Sequence, residues 1–191
     1  MRPRYTSGQL SLSKEKVEQL FLKSHTYEER LLLLIGFSIG LRRGDLVRIE
    51  LEHIDTKNST LSYFEMKKGN LLKTVPLTLR LNQELIRYIK FLGKTNNKYL
   101  FPNRQKNSSC DHMSDKTAYN IFNTICARAN IKTPIPITVM RSSCVKIKVS
   151  CGWTIEQVAA LIGDKASTVM DHYSTPSTGE LAQLMKDKGG I

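Results

Sequence analysis

The chain lacks any apolar run that could cross a bilayer. Its longest, residues 31–35, is five residues long, against the roughly 20 that a spanning helix needs. The N-terminus, MRPRYTSGQLS, has basic residues but no apolar stretch behind them, so it is not a secretion signal. The expected location is cytoplasmic, in the nucleoid or host cytoplasm. Cysteine is scarce: Cys110, Cys126, Cys144 and Cys151 form no C-x-x-C pair, which points to reduced thiols. Cys144 and Cys151 are spaced to share one helical face and read as two small core residues. The four histidines, His25, His53, His112 and His172, are scattered. Only Cys110 and His112 lie close together, and with no second ligand pair no zinc site is expected. Nor does a carboxylate cluster offer itself to Mg²⁺, so no metal or cofactor is expected. A basic amphipathic helix with aromatic anchors is missing too, which argues against a membrane surface.

Positive charge is what the chain has in excess. Lys and Arg number 29 and Asp and Glu 17 among 191 residues, a net charge of +12, with a pI near 9.6. Such a domain repels itself unless it meets a polyanion, and nucleic acid leads the candidates. The length suits one domain with a proper core. Hydrophobic residues make up 40% of the chain, enough to fold.

Pattern along the chain predicts mostly helix with one small sheet. A first helix starts near Ser13, with Val17, Leu20 and Phe21 on one face. Thr26 and Glu29 have capping-box spacing. Behind them, LLLLIGFSIG is apolar all round, which predicts a central buried helix ending near Gly40, followed by a short helix around residues 43–45. Residues 60–77 read as two strands about a turn at Gly69-Asn70, with a third short strand over 51–54. Helices are predicted over 82–92, with Leu85, Ile86, Ile89 and Leu92 inward, and over 114–130. KYLFP is extended, and the polar stretch 103–112 is expected to be a mobile loop. After Pro134 and Pro136, helices follow over 139–150, 154–162 (with a Thr154–Gln157 capping box) and 178–186.

Four side chains stand where the structure should change direction: Arg42 after the buried helix, Lys68 at the hairpin tip, Arg141 opening a helix, and Tyr173 before Pro176. Alone, each reads as a solvated charge or a rim aromatic. Together, in this order, they resemble the catalytic domain of the tyrosine recombinase (phage integrase) family. GLRRGDLVRIELEHID is similar to the family's first box, with Asp45 three residues after Arg42. KKGNLLKTVPL is similar to its hairpin box. ITVMRSSCVKIKVSCGWTIEQVAALIGDKASTVMDHY is similar to its signature run, with Asp164 23 residues after Arg141 and Tyr173 nine further on. The likeness covers about residues 10–185. Two positions depart from the pattern. Thr138 stands where the family usually has His, and its hydroxyl can still donate to a phosphate. Asp164 stands where His or Trp is usual; as a carboxylate it repels phosphate, and it could instead orient Arg141 or Lys165.

The resemblance implies an α+β, mostly helical fold with a small three-stranded antiparallel sheet. It divides the chain into a linker remnant (1–10), a catalytic domain (11–176) and a C-terminal helix or tail (177–191). It also implies site-specific cleavage and rejoining of double-stranded DNA through a covalent 3′-phosphotyrosine. Tyr173 would be the nucleophile and Lys68 the general acid, with Lys67 and Lys73 as substitutes. Arg42 and Arg141 would stabilise the charge on phosphorus, with Thr138 and Asp164 beside them. Asp45 would buttress Arg42, and His172 borders the nucleophile. Arg43, Lys67, Lys73, Lys146, Lys148 and Lys165 are candidates for contacts to the DNA backbone. The expected assembly is a monomer in free solution and a tetrameric synapse with other protomers on DNA. A catalytically impaired DNA-binding domain of the same fold, and a type IB topoisomerase-like relaxing enzyme, are the alternatives. The family usually carries a further N-terminal helical domain, and the chain begins where the linker to it is expected.

Overall fold

The leucine-rich segment fixes the centre of the molecule. In the computed structural model, which describes residues 10–93, 97–104 and 111–171 together with 182, 185 and 186, this segment is helix α2 (Tyr27–Ser38), buried continuously from Leu31 to Phe37. Helices α1 (Lys14–Leu22), α4 (Leu79–Leu92), α5 (Asp115–Arg128) and α6 (Val139–Ser150) surround it. Side-chain caps start four of these five helices: the hydroxyls of Ser13, Thr26, Thr78 and Ser114 each accept an amide of the first turn, relieving donors that no helix can satisfy internally. At α2 the Glu29 carboxylate accepts from the amide of His25 at 2.7 Å, one residue earlier than a capping box requires, and pairs with Arg128 at 2.8 Å. The short helix α3 (Arg43–Val47) follows α2 directly.

The sheet lies beside α3. Strand β2 (Thr60–Glu65) pairs antiparallel with β3 (Leu71–Pro76), from Thr60↔Pro76 to Glu65↔Leu71, and β1 (Ile54–Asp55) pairs with the far side of β2. Alternation along β2 puts Leu61, Tyr63 and Glu65 inward. A single 3-10 turn, Met66–Lys68, ends at Gly69 (φ 69°) and Asn70 (φ 60°), left-handed values that Gly and Asn adopt most cheaply. The third strand is shorter than expected. Leu51–His53 form a 3-10 turn because the Leu51 amide is taken by the carbonyl of Lys98 (2.9 Å), and Ile49 in turn accepts from Leu100 (2.8 Å).

The buried stripe of α4 also differs from expectation. It runs through Leu81, Leu85 and Tyr88, while Ile86 is 47% exposed. Tyr88 packs against Phe101, ring centroids 6.3 Å apart, and so turns the helix toward that segment. The loop over 103–112 is closed at its base by a Pro102↔His112 bridge; its residues 105–110 lie outside the described residues. Helix α7 (Ile155–Ile162) starts with the expected capping box, Thr154 and Gln157 each bonding the other's backbone. It packs with α8 (Ala166–Val169) on a second, smaller apolar cluster of Val145, Val158, Ala159, Ile162 and Val169. Cys144 is buried as expected, but Cys151 is exposed, because α6 has already ended at Ser150 and Cys151 is its C-cap. The result is the expected mostly helical α+β fold with a three-stranded antiparallel sheet. Most of the expected linker, and the expected helix over 178–186 apart from three residues, lie outside the described residues.

Candidate functional site

The ends of three elements converge on one cavity. Helix α2 runs out at Gly40, which places Leu41 and Arg42 at its end. The 3-10 turn of the hairpin brings Met66 and Lys67, and the start of α6 brings Thr138 and Arg141. With Arg43, Gly44, Asp45 and Asp115 they line a space of about 510 Å³.

Arg141 is almost fully buried. Its NH1 donates to the carbonyls of Gly40 (2.6 Å) and Ile162 (2.9 Å), so one guanidinium ties the end of α2 to the end of α7. Its NH2 meets Oδ2 of Asp164 at 2.5 Å. Arg42 reaches the same carboxylate from the other side, its NH2 donating to Oδ1 of Asp164 and, at 3.3 Å, to the carbonyl of Gly163. Asp164 thus bridges both arginines. Of the two partners open to it from sequence, Arg141 is realised, and Arg42 joins it.

Beneath this bridge lies Glu65, 2% exposed. One oxygen is 3.6 Å from Arg42 NH1 and the other 3.3 Å from the Lys68 ammonium. Glu65 escaped the sequence reading, although a signal was present: strand alternation after Leu61 and Tyr63 assigns position 65 to the inner face, where an acid needs a partner. Gly163 passes so close over it that a Cβ there would stand 1.9 Å from Oε1, and its φ is +72°. Both facts require glycine.

Asp45 is buried, and its Oδ1 accepts from the amide of Met66 at 3.2 Å. It therefore ties α3 to the hairpin, and it acts on Arg42 through charge. Burial raises its pKa, outweighing the Met66 amide and the Arg42 charge that pull the other way. Lys73 departs from expectation. Its ammonium donates to the carbonyls of Ala160 and, at 3.0 Å, Leu161, closing the last turn of α7 where cations are favoured. Burial lowers its pKa, against the nearby Glu65 charge.

Of the other cations expected at DNA, Arg43 and Lys67 line the cavity, and Arg43 is also paired with Asp115 at 2.8 Å. Lys73, Lys146, Lys148 and Lys165 do not line it. The Lys148 ammonium sits 4.2 Å over the Trp153 ring. Thr138 is exposed at the mouth and makes no capping bond. Tyr173 and His172 lie outside the described residues.

A basic cavity walled by two arginines, a hairpin with its lysine, and mixed α+β packing around a buried helix together define the catalytic fold of tyrosine recombinases. The chain belongs to the phage integrase family, whose model matches residues 11–179. It is 24% identical over 177 residues to tyrosine recombinase XerA of Pyrococcus horikoshii, and 25% over 180 residues to that of Pyrococcus furiosus. In both cases the match covers 92% of this chain and 60% of the relative, so the chain spans about three-fifths of those proteins. Among solved structures it is similar to XerA recombinase (TM-score 0.78, 17% identity, 95% of this chain and 66% of that one). It is also similar to XerH bound to its palindromic difH substrate after cleavage (0.72, 15%, 94% and 52%). A lambda integrase dimer on a core site follows (0.67, 16%, 91% and 49%). Among the described residues no helix is long and apolar enough to cross a membrane.

Proposed function

We propose that this chain cleaves and rejoins double-stranded DNA at a specific site through a covalent 3′-phosphotyrosine. The observation that carries this reading is the convergence of Arg42 and Arg141, from two separate elements, on one wall of a cavity that also admits Thr138 and Lys67. Two guanidinium forks can donate to the non-bridging oxygens of a phosphodiester and strengthen as charge develops there. The Tyr173 phenol gives its proton to solvent as its oxygen attacks phosphorus, the bond to the 5′ oxygen breaks, and Lys68 gives that oxygen its proton. A 5′ hydroxyl of another strand then reverses the step, with the proton returning to lysine. The phosphotyrosine conserves the bond energy, so no nucleotide is consumed. Glu65 supports the assignment to Lys68, since it holds that ammonium and Arg42 on one carboxylate. Lys73 is a poorer acid candidate because its protons are engaged with α7. The domain is read as 11–176, followed by a tail, monomeric when free and tetrameric on DNA.

Nicked duplexes drawn from the DNA that flanks the coding sequence test this. Wild type should leave a protein–DNA adduct that survives denaturation. Tyr173→Phe should leave none, and Lys68→Ala should slow its formation by about 10²–10⁴-fold. A chain that binds such a duplex and never forms the adduct is the impaired DNA-binding domain. The engagement of both arginines by Asp164 favours that second reading.

A further inference from the structure

Asp164 is the acid that this chain sets against its own arginine pair. We infer that its carboxylate is a built-in occupant of the phosphate seat, so that a DNA phosphate binds here by exchange with Asp164 and not by filling an open site. This rests on the reading of Arg42 and Arg141 as that seat.

The geometry is that of a surrogate. One planar carboxylate spans two guanidinium groups, Oδ1 to Arg42 NH2 and Oδ2 to Arg141 NH2, as two non-bridging oxygens of a phosphodiester would. The arginines are held independently of it. Arg141 is pinned through NH1 to the carbonyls of Gly40 and Ile162, and Arg42 keeps Glu65 at 3.6 Å and the Gly163 carbonyl at 3.3 Å. Loss of the Asp164 carboxylate therefore leaves both forks in position. The backbone of residue 164 is fixed as well. Its amide donates to the carbonyl of Ala159 at 3.0 Å, and Lys73 clamps the preceding turn. Only the side chain needs to rotate, and Lys165 is the adjacent exposed cation. A carboxylate and a phosphodiester carry the same single charge. Exchange thus yields little net electrostatic gain, and an isolated anion competes poorly. A duplex that adds contacts elsewhere can win.

Calorimetric titration with inorganic phosphate at fixed ionic strength tests this without DNA or chemistry. Asp164→Asn should bind phosphate at least about tenfold more tightly than wild type, the scale of one close charge pair in a half-buried site. Adding Arg42→Gln to that variant should remove the gain. A folded Asp164→Asn that binds no more tightly than wild type overturns the inference, and so does a gain that persists in the Arg42→Gln background. If circular dichroism shows Asp164→Asn unfolded, Asp164→Ser is measured in its place. Wild type gives an independent reading: as phosphate is added up to saturation, one aspartate carboxyl ¹³C signal should move along the binding curve, and phosphate binding at the arginine pair with every aspartate signal stationary overturns the exchange. The two readings fail separately. Tighter phosphate binding with no Tyr173 adduct sinks the recombinase. An adduct with phosphate affinity indifferent to Asp164→Asn sinks the surrogate alone.

Discussion

Asp45 carries a carboxylate with almost no solvent contact and one backbone partner, the Met66 amide. Burial raises its pKa above the unfolded value near 3.9. Between those two values the native state binds more protons than the unfolded chain, so this group's contribution to stability falls as pH rises through the window. Above that window its full cost is present. Asp45→Asn keeps an acceptor for Met66 and removes that cost. The melting temperature at pH 7 should rise by about 2–4 °C, which is roughly 1 kcal/mol for a chain of this size. The gain should shrink as pH is lowered toward the ordinary aspartate value, and a pH series of thermal melts reads both. The same variant takes a negative charge away from Arg42, so adduct formation should fall while stability rises. A variant that loses stability at pH 7 contradicts this account of the site.

At the scale of elements, the crossing of the α7–α8 connection over β2 is the tightest joint in the site. Gly163 there meets Glu65 with no room for a Cβ and sits at φ +72°. Gly163→Ala should lower the melting temperature by about 5 °C or more, from a left-handed penalty of roughly 1–2 kcal/mol plus the steric term. In a Glu65→Ala background the cost should drop by at least about 1 kcal/mol, which a double-mutant cycle measures. Equal costs in the two backgrounds would assign all of it to the backbone. The elements themselves were largely legible. Apolar runs give α2, the Gly69-Asn70 turn gives the hairpin, and Thr154 with Gln157 gives the start of α7. What escaped were effects of distant partners. Leu51 looks like a strand residue until Lys98 takes its amide, and Ile86 fits the helical stripe until Tyr88 finds Phe101. Within the site, residue types and spacing point to Arg42, Lys68 and Arg141. No spacing reveals that Asp164 engages both arginines, or that Lys73 is spent on α7, because both depend on how three ends of chain meet.

Over the whole molecule, a charge of +12 coexists with a site in which Arg42, Lys68 and Arg141 are offset by Glu65 and Asp164, with Asp45 beside them. The excess is therefore available for long-range attraction and backbone contacts outside the cavity. Affinity for a duplex, read by fluorescence anisotropy, should fall by roughly 10³-fold or more between about 50 and 200 mM salt, the slope of about six neutralised phosphates. A slope of two or fewer would leave the charge without a nucleic-acid role.

Lys73 gives this architecture a mechanical property. It is the rod between the hairpin and the end of α7, while Arg141 is the pivot that fixes the same helix end to α2. A push on the hairpin that tilts β3 is delivered at Ala160 and Leu161, on the helix-body side of the pivot, two residues short of Gly163 and three short of Asp164. Load on the hairpin is thereby taken up by the end of α7 and its pivot, and the backbone that carries the carboxylate closing the arginine pair is shielded from it.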